Sequence, residues 1–350
     1  MVGGDYMNII VQKYGGTSVE NKKKLEKVCE NIISYKDKKS DIVVVVSAQG
    51  KTTDNLVKTA YTYSETPNKR DYDLLLSTGE LQTIALLSMM LNDKGYPTVS
   101  LTGEQAGILS DSEYGRATIQ NIYQNNILKH LENGKIVVVA GFQAVDKLGN
   151  ITTLGRGGSD LSAVAIACAL KAKKCEIYSD IDGIYSADPR IIPNAKLLEN
   201  ISYNEMLEAA SAGAKVLHNR SVNVAKKNNM KVIVKNSQKQ SRGSIVENIN
   251  FATNDFPLVY NEKKDKKNNS NNFEDYDIKF ITKKDDISKI CIIGDMVMSN
   301  KDAVINIFKI ANQEGITIYM ISFSELSINI IVDSQKSTLF MQKLHDVLIK

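Results

Sequence analysis

Hydrophobic and polar positions along the 350-residue chain fall into two regimes. Through the first 247 residues, short apolar runs alternate with segments of helical period. Ile9–Gln12 reads as a short strand leading into a glycine pair. Lys22–Tyr35 has helical periodicity, and Asp41–Ser47 holds a run of valines, the pattern of a parallel strand buried on both faces. Leu81–Leu91 predicts a helix, Tyr96–Leu101 a strand, Thr118–Glu132 a helix and Ile136–Gly141 a second valine-rich strand. Leu161–Ala172 is a nearly all-apolar helix, followed by the strand Glu176–Ser179. Tyr203–Ala225 reads as a helix with one glycine, and Lys231–Lys235 as a strand. Such alternation predicts α/β architecture, a mostly parallel sheet sandwiched by helices.

The pattern breaks after Glu247. Glu262–Asn272 contains lysines, asparagines and acids with no apolar residue, the composition of a solvated linker or loop. A compact unit follows: strand Ile287–Ile293, helix Ala303–Glu314, strands Ile316–Ser322 and Ser327–Val332, and helix Leu339–Ile349. This is a small α+β module whose fourth strand could come from Asp277–Thr282. The expected division is therefore a large domain over 1–247, a polar linker over 248–286 and a small module over 287–350.

Composition narrows the classes. A formal charge of +4 over this length gives no argument for nucleic-acid or membrane binding. No apolar run approaches the ~20 residues of a membrane span, and the N-terminus has no signal-peptide pattern. The four cysteines, Cys29, Cys168, Cys175 and Cys291, lack metal-ligand spacing, and the three histidines are far apart. Buried structural thiols in a reducing cytoplasm, with no protein-borne metal site, are the expectation.

Four clusters carry candidate chemistry. Lys13-Tyr14-Gly15-Gly16-Thr17-Ser18 follows a strand, where glycines bring amides close to phosphate oxygens and the lysine adds charge. A plain glycine turn with a surface lysine is the alternative; a Walker A loop is excluded, because the lysine precedes the glycines. Gly155-Arg156-Gly157-Gly158-Ser159-Asp160 opens the apolar helix, whose free amides favour an anion; Asp160 could also be an ordinary N-cap. Ser179-Asp180-Ile181-Asp182-Gly183-Ile184-Tyr185, continuing to Arg190, follows a strand where ligands in α/β folds collect, or is a set of turns. Lys215, in Gly213–His218, is either a site lysine or a snorkelling surface one. Two smaller pieces are Ser47–Thr53, closing the valine strand, and Ser77-Thr78-Gly79-Glu80, which begins a helix. Glu80 could simply satisfy the helix dipole there.

Together these clusters, from Ile9 to Val246, resemble the aspartokinases within the wider amino-acid-kinase fold. The resemblance implies an ATP-dependent kinase that phosphorylates the side-chain carboxylate of L-aspartate, with Mg²⁺ carried on the nucleotide. It implies that Lys13, Gly15, Gly16 and Thr17 contact the ATP phosphates. Ser179, Asp180, Tyr185 and Arg190 would hold the nucleotide, with Lys215 beside the phosphates. Ser47, Thr53, Glu80, Arg156 and Ser159 would bind aspartate, and Asp160 would organise the catalytic lysine. The logic agrees: a carboxylate of pKa about 3.9 is already ionised, so no general base is needed. The obstacle is repulsion between anions, overcome by positioning and charge neutralisation.

Some positions depart from the family pattern. Ala144 replaces a usual glycine near the expected substrate site, and Asn219 follows His218 where proline is usual. Ile287–Lys350, including Ile321–Ile328, looks like one ACT module, where the family usually has two. The resemblance therefore implies weakened feedback by lysine, threonine or methionine, and a homodimer held partly through the remaining module. A chain ending at Lys350 leaves no room for a fused homoserine dehydrogenase. Competing readings are a glutamate or N-acetylglutamate kinase, against which Glu80 and Arg156 argue, and a silent regulatory subunit, against which Lys13, Arg156, Asp160 and Lys215 argue.

Overall fold

The computed structural model describes residues 8–214, 216–249, 286–294, 297 and 300–349. The chain enters through β1 (Ile9–Tyr14), α1 (Lys22–Lys36), β2 (Asp41–Val46), α2 (Thr52–Tyr63), α3 (Lys69–Asp93) and β3 (Thr98–Leu101). Next come β4 (Ile108–Ser110), β5 (Ile119–Ile122), α4 (Asn125–Glu132), β6 (Ile136–Ala140), β7 (Gln143–Val145), β8 (Ile151–Thr153), α5 (Gly158–Ala169) and β9 (Lys174–Ser179). The unit closes with β10 (Ile184–Tyr185), β11 (Leu197–Leu198), β12 (Asn200–Ser202), α6 (Tyr203–Ser211), α7 (Asn219–Lys227), β13 (Val232–Asn236) and β14 (Ser244–Glu247).

Eight strands form one sheet, in the order β12-β14-β13-β9-β1-β2-β6-β3. Every pairing is parallel except β13 with β14. The valine run explains the sandwich. Val43 and Val45 join Val11, Val137, Val139 and the apolar α5 in one core. Ile42, Val44 and Val46 join Val28 and Ile32 of α1 and Ile84 and Leu87 of α3 in the other. Alternate side chains of one strand thus feed two cores.

Polar contacts fix the strands that carry the site. Glu176, wholly buried in β9, meets Lys174 and Lys235 at 2.9 Å each and accepts from the Tyr35 and Tyr178 hydroxyls at 3.0 Å. Burial alone would raise its pKa, but the two ammonium groups bring it below the usual value. This network ties β9 to β13 and α1. A second sheet, β5-β4-β7-β8, packs against α3. Asp73 of α3 anchors it, accepting from Thr153 N at 2.6 Å, Thr153 Oγ1 at 2.9 Å and Gly115 N at 2.9 Å.

Several elements differ from the sequence reading. Thr118–Glu132 is not one helix: Ile119–Ile122 pairs with β4 as a strand before α4 starts. Tyr203–Ala225 is two helices, because α6 ends at Ala212-Gly213, with Gly213 at φ +112°. A new cap then starts α7, the His218 side chain accepting from Arg220 N at 3.3 Å. Helix α2 and the second sheet were not anticipated. Helix α3 begins twelve residues before Leu81. It is also long and apolar enough in composition to cross a membrane, against the sequence expectation, but Asp73, Ser77 and Glu80 on it are buried inside this unit.

The remaining described elements are β15 (Ile287–Ile293), α8 (Lys301–Gln313), β16 (Ile318–Phe323), β17 (Ser327–Asp333) and α9 (Ser334–Leu348). They make an antiparallel sheet, β15-β17-β16, with its own core of Ile307, Ile310, Ile328, Ile330, Phe340 and Leu344. This small α+β unit fits the ACT-like module expected from the sequence. Helix α9 starts five residues earlier than expected, because Asp333 caps it on Gln335 N at 2.9 Å. The candidate strand Asp277–Thr282 and the polar stretch Glu262–Asn272 lie outside the described residues.

Candidate active site

Strands β1, β2, β9 and β13 run parallel, so their C-terminal ends open on one edge of the sheet. The chain after them is stitched together by backbone bonds. Ser47 N donates to Tyr14 O at 3.1 Å, Gly50 N to Gly16 O at 3.0 Å, and Gly141 N to Val46 O at 3.0 Å. Gly16 permits this approach, since a Cβ there would sit 2.8 Å from Ala48 O.

A cleft of about 290 Å³ opens at this edge. Lys13, Ser47, Thr53, Glu80, Arg156, Ser159 and Asp160 line it, together with Phe142, Gly155, Gly157 and Gly158. All of these except Phe142 were singled out in the sequence, and they converge from β1, the end of β2, α2, α3 and the glycine-rich loop that opens α5. Gly157, at φ +72°, turns the chain into α5. A Cβ on Gly157 would strike the His218 side chain at 2.6 Å.

Lys13 and Asp160 form an ion pair, Nζ to Oδ1 2.6 Å, with both side chains largely shielded. Asp160 is not the N-cap of α5; Gly157 occupies that place. The carboxylate instead holds the lysine over the first turn of the helix, where free amides and a positive dipole end favour a phosphate.

Glu80 lies inside α3, eleven residues after its start, so it does not serve the helix dipole. It is 2% exposed. Its Oε1 accepts from Ala48 N at 3.0 Å, while Oε2 is buried without a hydrogen-bond partner. Burial pushes its pKa up to about 7, against the Ala48 N–H, which favours the charged form. A buried acceptor left unpaired is costly. A ligand ammonium would supply both the missing donor and a counter-charge. Arg156 stands exposed at the rim, and Ser159 is buried beside Gly141.

The nucleotide candidates are arranged differently. Ser179 ends β9, two residues beyond Ile177, the partner of Lys13 on β1, and Gly15 N donates to Tyr178 O at 3.3 Å. Asp180, Tyr185 and Arg190 follow on the adjoining segment and are not among the residues lining the cleft. Arg190 reaches Asp188 instead, Nη2 to Oδ2 2.7 Å and Nε to Oδ1 3.0 Å, and holds that carboxyl down at about 2. Thr17 is exposed in a 3₁₀ turn. Lys215 lies outside the described residues.

Three contributors escaped the sequence reading. Phe142 lines the cleft at φ +69°, an uncommon conformation for a bulky residue. It is held by Phe142 N donating to Ser162 Oγ at 3.2 Å and Leu154 N to Phe142 O at 2.8 Å. Asn236, ending β13, donates to Asp180 O at 3.2 Å and Asp182 Oδ1 at 2.8 Å, and so organises the segment after β9. Arg220 donates to the carbonyls of Leu154 and Arg156, bracing the glycine-rich loop from behind. Only an asparagine at the end of a parallel strand could have signalled one of these. Ala144, two residues after Phe142, is buried in β7 opposite Thr152 and is not itself among the residues lining the cleft. Asn219 starts α7 and donates to Ser211 Oγ at 3.0 Å.

Residues 8–236 match the family model described as the amino acid kinase family. That is the class which this mostly parallel sheet, with a cleft at its strand ends, defines. Comparison with individual proteins narrows it. An aspartokinase of Geobacillus stearothermophilus is 38% identical over 394 aligned positions, covering 97% of each chain. An aspartokinase of Bacillus sp. (strain MGA3) is 52% identical over 241 residues, 69% of this chain and 59% of that relative. The crystal structure of E. coli aspartokinase III in complex with aspartate and ADP superposes with a TM-score of 0.77, covering 98% of this chain and all of that one, at 20% identity. The chain belongs to the aspartokinases, and it is a kinase. The Geobacillus alignment is longer than the 350-residue chain, so that relative carries residues without counterpart here.

Proposed function

We propose that the protein transfers the γ-phosphoryl group of ATP to the β-carboxylate of L-aspartate, giving 4-phospho-L-aspartate and ADP. This would be the first step of aspartate-family amino-acid biosynthesis, running in the cytoplasm. The observation that carries the reading is the unpaired Oε2 of Glu80, buried in the same cleft as Arg156 and the Lys13–Asp160 pair. An α-amino acid needs both an anion for its ammonium and a cation for its α-carboxylate. Arg156 can give the carboxylate two parallel hydrogen bonds, and Ser47, Thr53 and Ser159 add polar contacts. The β-carboxylate then faces Lys13.

In the reaction a β-carboxylate oxygen bonds to the γ-phosphorus as the bond to the β,γ-bridging oxygen breaks, and ADP leaves with that oxygen. No proton moves. Lys13, the Gly15–Gly16 amides and the first turn of α5 stabilise charge on the transferring group, and Asp160 fixes the lysine. Lys215 is assigned to the phosphates and Ser179, Asp180, Tyr185 and Arg190 to the nucleoside end; Arg190 would leave Asp188 to do so. Mg²⁺ bound to the nucleotide supplies further positive charge. Hydroxylamine trapping tests the reading: aspartyl hydroxamate forms with aspartate and not with glutamate. Absence of the hydroxamate at saturating substrates would sink it.

We assign 1–247 to catalysis, 248–286 to a linker with the remnant of a first ACT module, and 287–350 to dimerisation. Exposed Ile305 and Phe308 on α8 and Met320 and Phe323 on β16 favour side-by-side pairing of two modules into a homodimer. Without a complete first module, an effector has little surface for differential binding to two states. Sedimentation is expected to give a dimer, and lysine, threonine and methionine are expected to inhibit weakly or not at all. Inhibition at ~1 mM or below would show that a complete effector site survives.

A further inference from the structure

The C-terminal module touches the catalytic unit beside the segment assigned to the nucleotide. Strands β10 and β11 pair through only two residues each, Ile184 with Leu198 and Tyr185 with Leu197. The loop between them carries Asp188 and Arg190. Ser186 closes this hairpin: its N–H donates to Lys196 O at 2.8 Å, and its Oγ accepts from Lys196 N at 2.9 Å. The same Oγ lies 2.8 Å from Nε2 of His345, on α9 of the module.

His345 is 7% exposed although it sits in the last turn of a helix. Its Nδ1 is buried without a hydrogen-bond partner, the nearest carboxylate oxygen being Asp346 Oδ1 at 3.9 Å. The contact with Ser186 is thus the one hydrogen bond described for a buried ring. Losing it would leave both ring nitrogens unsatisfied. A second polar contact fixes the module's approach: Ser327 Oγ of β17 donates to Glu208 Oε1 of α6 at 2.7 Å. The imidazole therefore arrives at Ser186 from a braced support.

We propose that His345 is a positioning residue for the nucleotide, acting through Ser186 to hold the β10–β11 hairpin. The proposal rests on the reading that Ser179–Arg190 holds ATP. Two residue pairs are a weak anchor for the excursion over 186–196, and such a segment opens locally with little free energy. When only a fraction of molecules hold the loop in its binding arrangement, apparent affinity falls by that fraction. The groups assigned to aspartate lie after β2, on α2 and α3 and at the start of α5, and none of them is on this hairpin. The C-terminal module thereby becomes part of the nucleotide site in the same chain.

Steady-state kinetics on the full chain test this, with ATP and aspartate varied separately. His345→Ala is expected to raise KM for ATP about three- to ten-fold, the size of one net hydrogen bond, with KM for aspartate and kcat unchanged. His345→Gln, which keeps an amide near the Nε2 position, is expected to restore most of the loss. Ser186→Ala is expected to raise KM for ATP at least as much as His345→Ala, since it also loses the bond from Lys196 N, and the double variant to be no worse than Ser186→Ala alone, because the His345 contact is then already gone. An unchanged KM for ATP, a parallel rise in both KM values, or glutamine no better than alanine would overturn the proposal. Should His345→Ala fail to fold, as judged by circular dichroism, the glutamine and Ser186 variants decide. Tyr185→Ala separates the two levels. If it leaves KM for ATP untouched, the nucleotide assignment itself fails; if it raises KM while His345→Ala does not, only the role of His345 fails.

Discussion

Lys13→Ala should lower kcat by about 10²–10³-fold, the range seen when one preorganised donor to a developing charge is removed, while KM for aspartate changes little. The lysine sits at the end of β1, 2.6 Å from Asp160 and above the first turn of α5. Its charge is most valuable when the γ-phosphoryl oxygens lie between two anions. An interaction strongest in the transition state acts on turnover rather than on binding. Asp160→Ala should lose turnover too, because the unanchored lysine can leave the phosphate. The double variant should be little worse than Lys13→Ala alone, since the carboxylate acts through the lysine. Initial rates for the three variants, with hydroxamate as product readout, check this. Fully additive losses would mean that Asp160 acts on the phosphoryl group independently of Lys13.

Glu80→Gln should raise KM for aspartate by roughly 10²-fold, the scale for one partner of a buried, hydrogen-bonded charge pair. It should also remove a pH dependence. In the free protein burial lifts Glu80 to about 7. The charged form that receives the substrate ammonium is therefore incompletely populated at neutral pH. KM for aspartate in the wild type should fall as pH rises through about 7, and Glu80→Gln should show no such fall.

Stability follows the opposite course. The folded-state value lies above the reference 4.5, so the folded chain holds a proton that the unfolded chain has released between 4.5 and about 7. The contribution is complete below 4.5 and is lost as pH rises through about 7. That loss is at most roughly 3 kcal/mol. Glu80→Gln should therefore be more stable than wild type at pH 8, by urea unfolding, although a worse enzyme. A less stable glutamine variant there would overturn this account of the burial. Arg156→Ala should raise KM for aspartate without the pH signature, being an exposed cation at the rim; unchanged kinetics would remove Arg156 from the site.

The sequence by itself determined the layering, the class of chemistry and most of the residues of the cleft. A run such as Ile42–Val46 can only be a strand covered on both faces, because alternate side chains point opposite ways and all are apolar. The glycine clusters around Lys13 and Arg156 stood out in the sequence for two different reasons: Gly16 lets the backbone at Ala48 come close, and Gly155 and Gly157 turn at positive φ. Local patterns could not decide between two readings of Glu80 or of Asp160. A carboxylate near a helix start looks the same whether it serves the dipole, a cap or a ligand. That question turned on where α3 begins and on which lysine faces α5, and both depend on residues distant in sequence. The extra strand at Ile119–Ile122 and the break between α6 and α7 were hidden for the same reason, since pairing partners and caps lie elsewhere in the chain. Phe142, Arg220 and Asn236 became visible only as contacts, and Arg190 only as the partner of Asp188. His345 carries no local signal at all. Its meeting with Ser186 exists because two units with distinct cores bring a helix end against a hairpin, and only the tertiary structure could decide that.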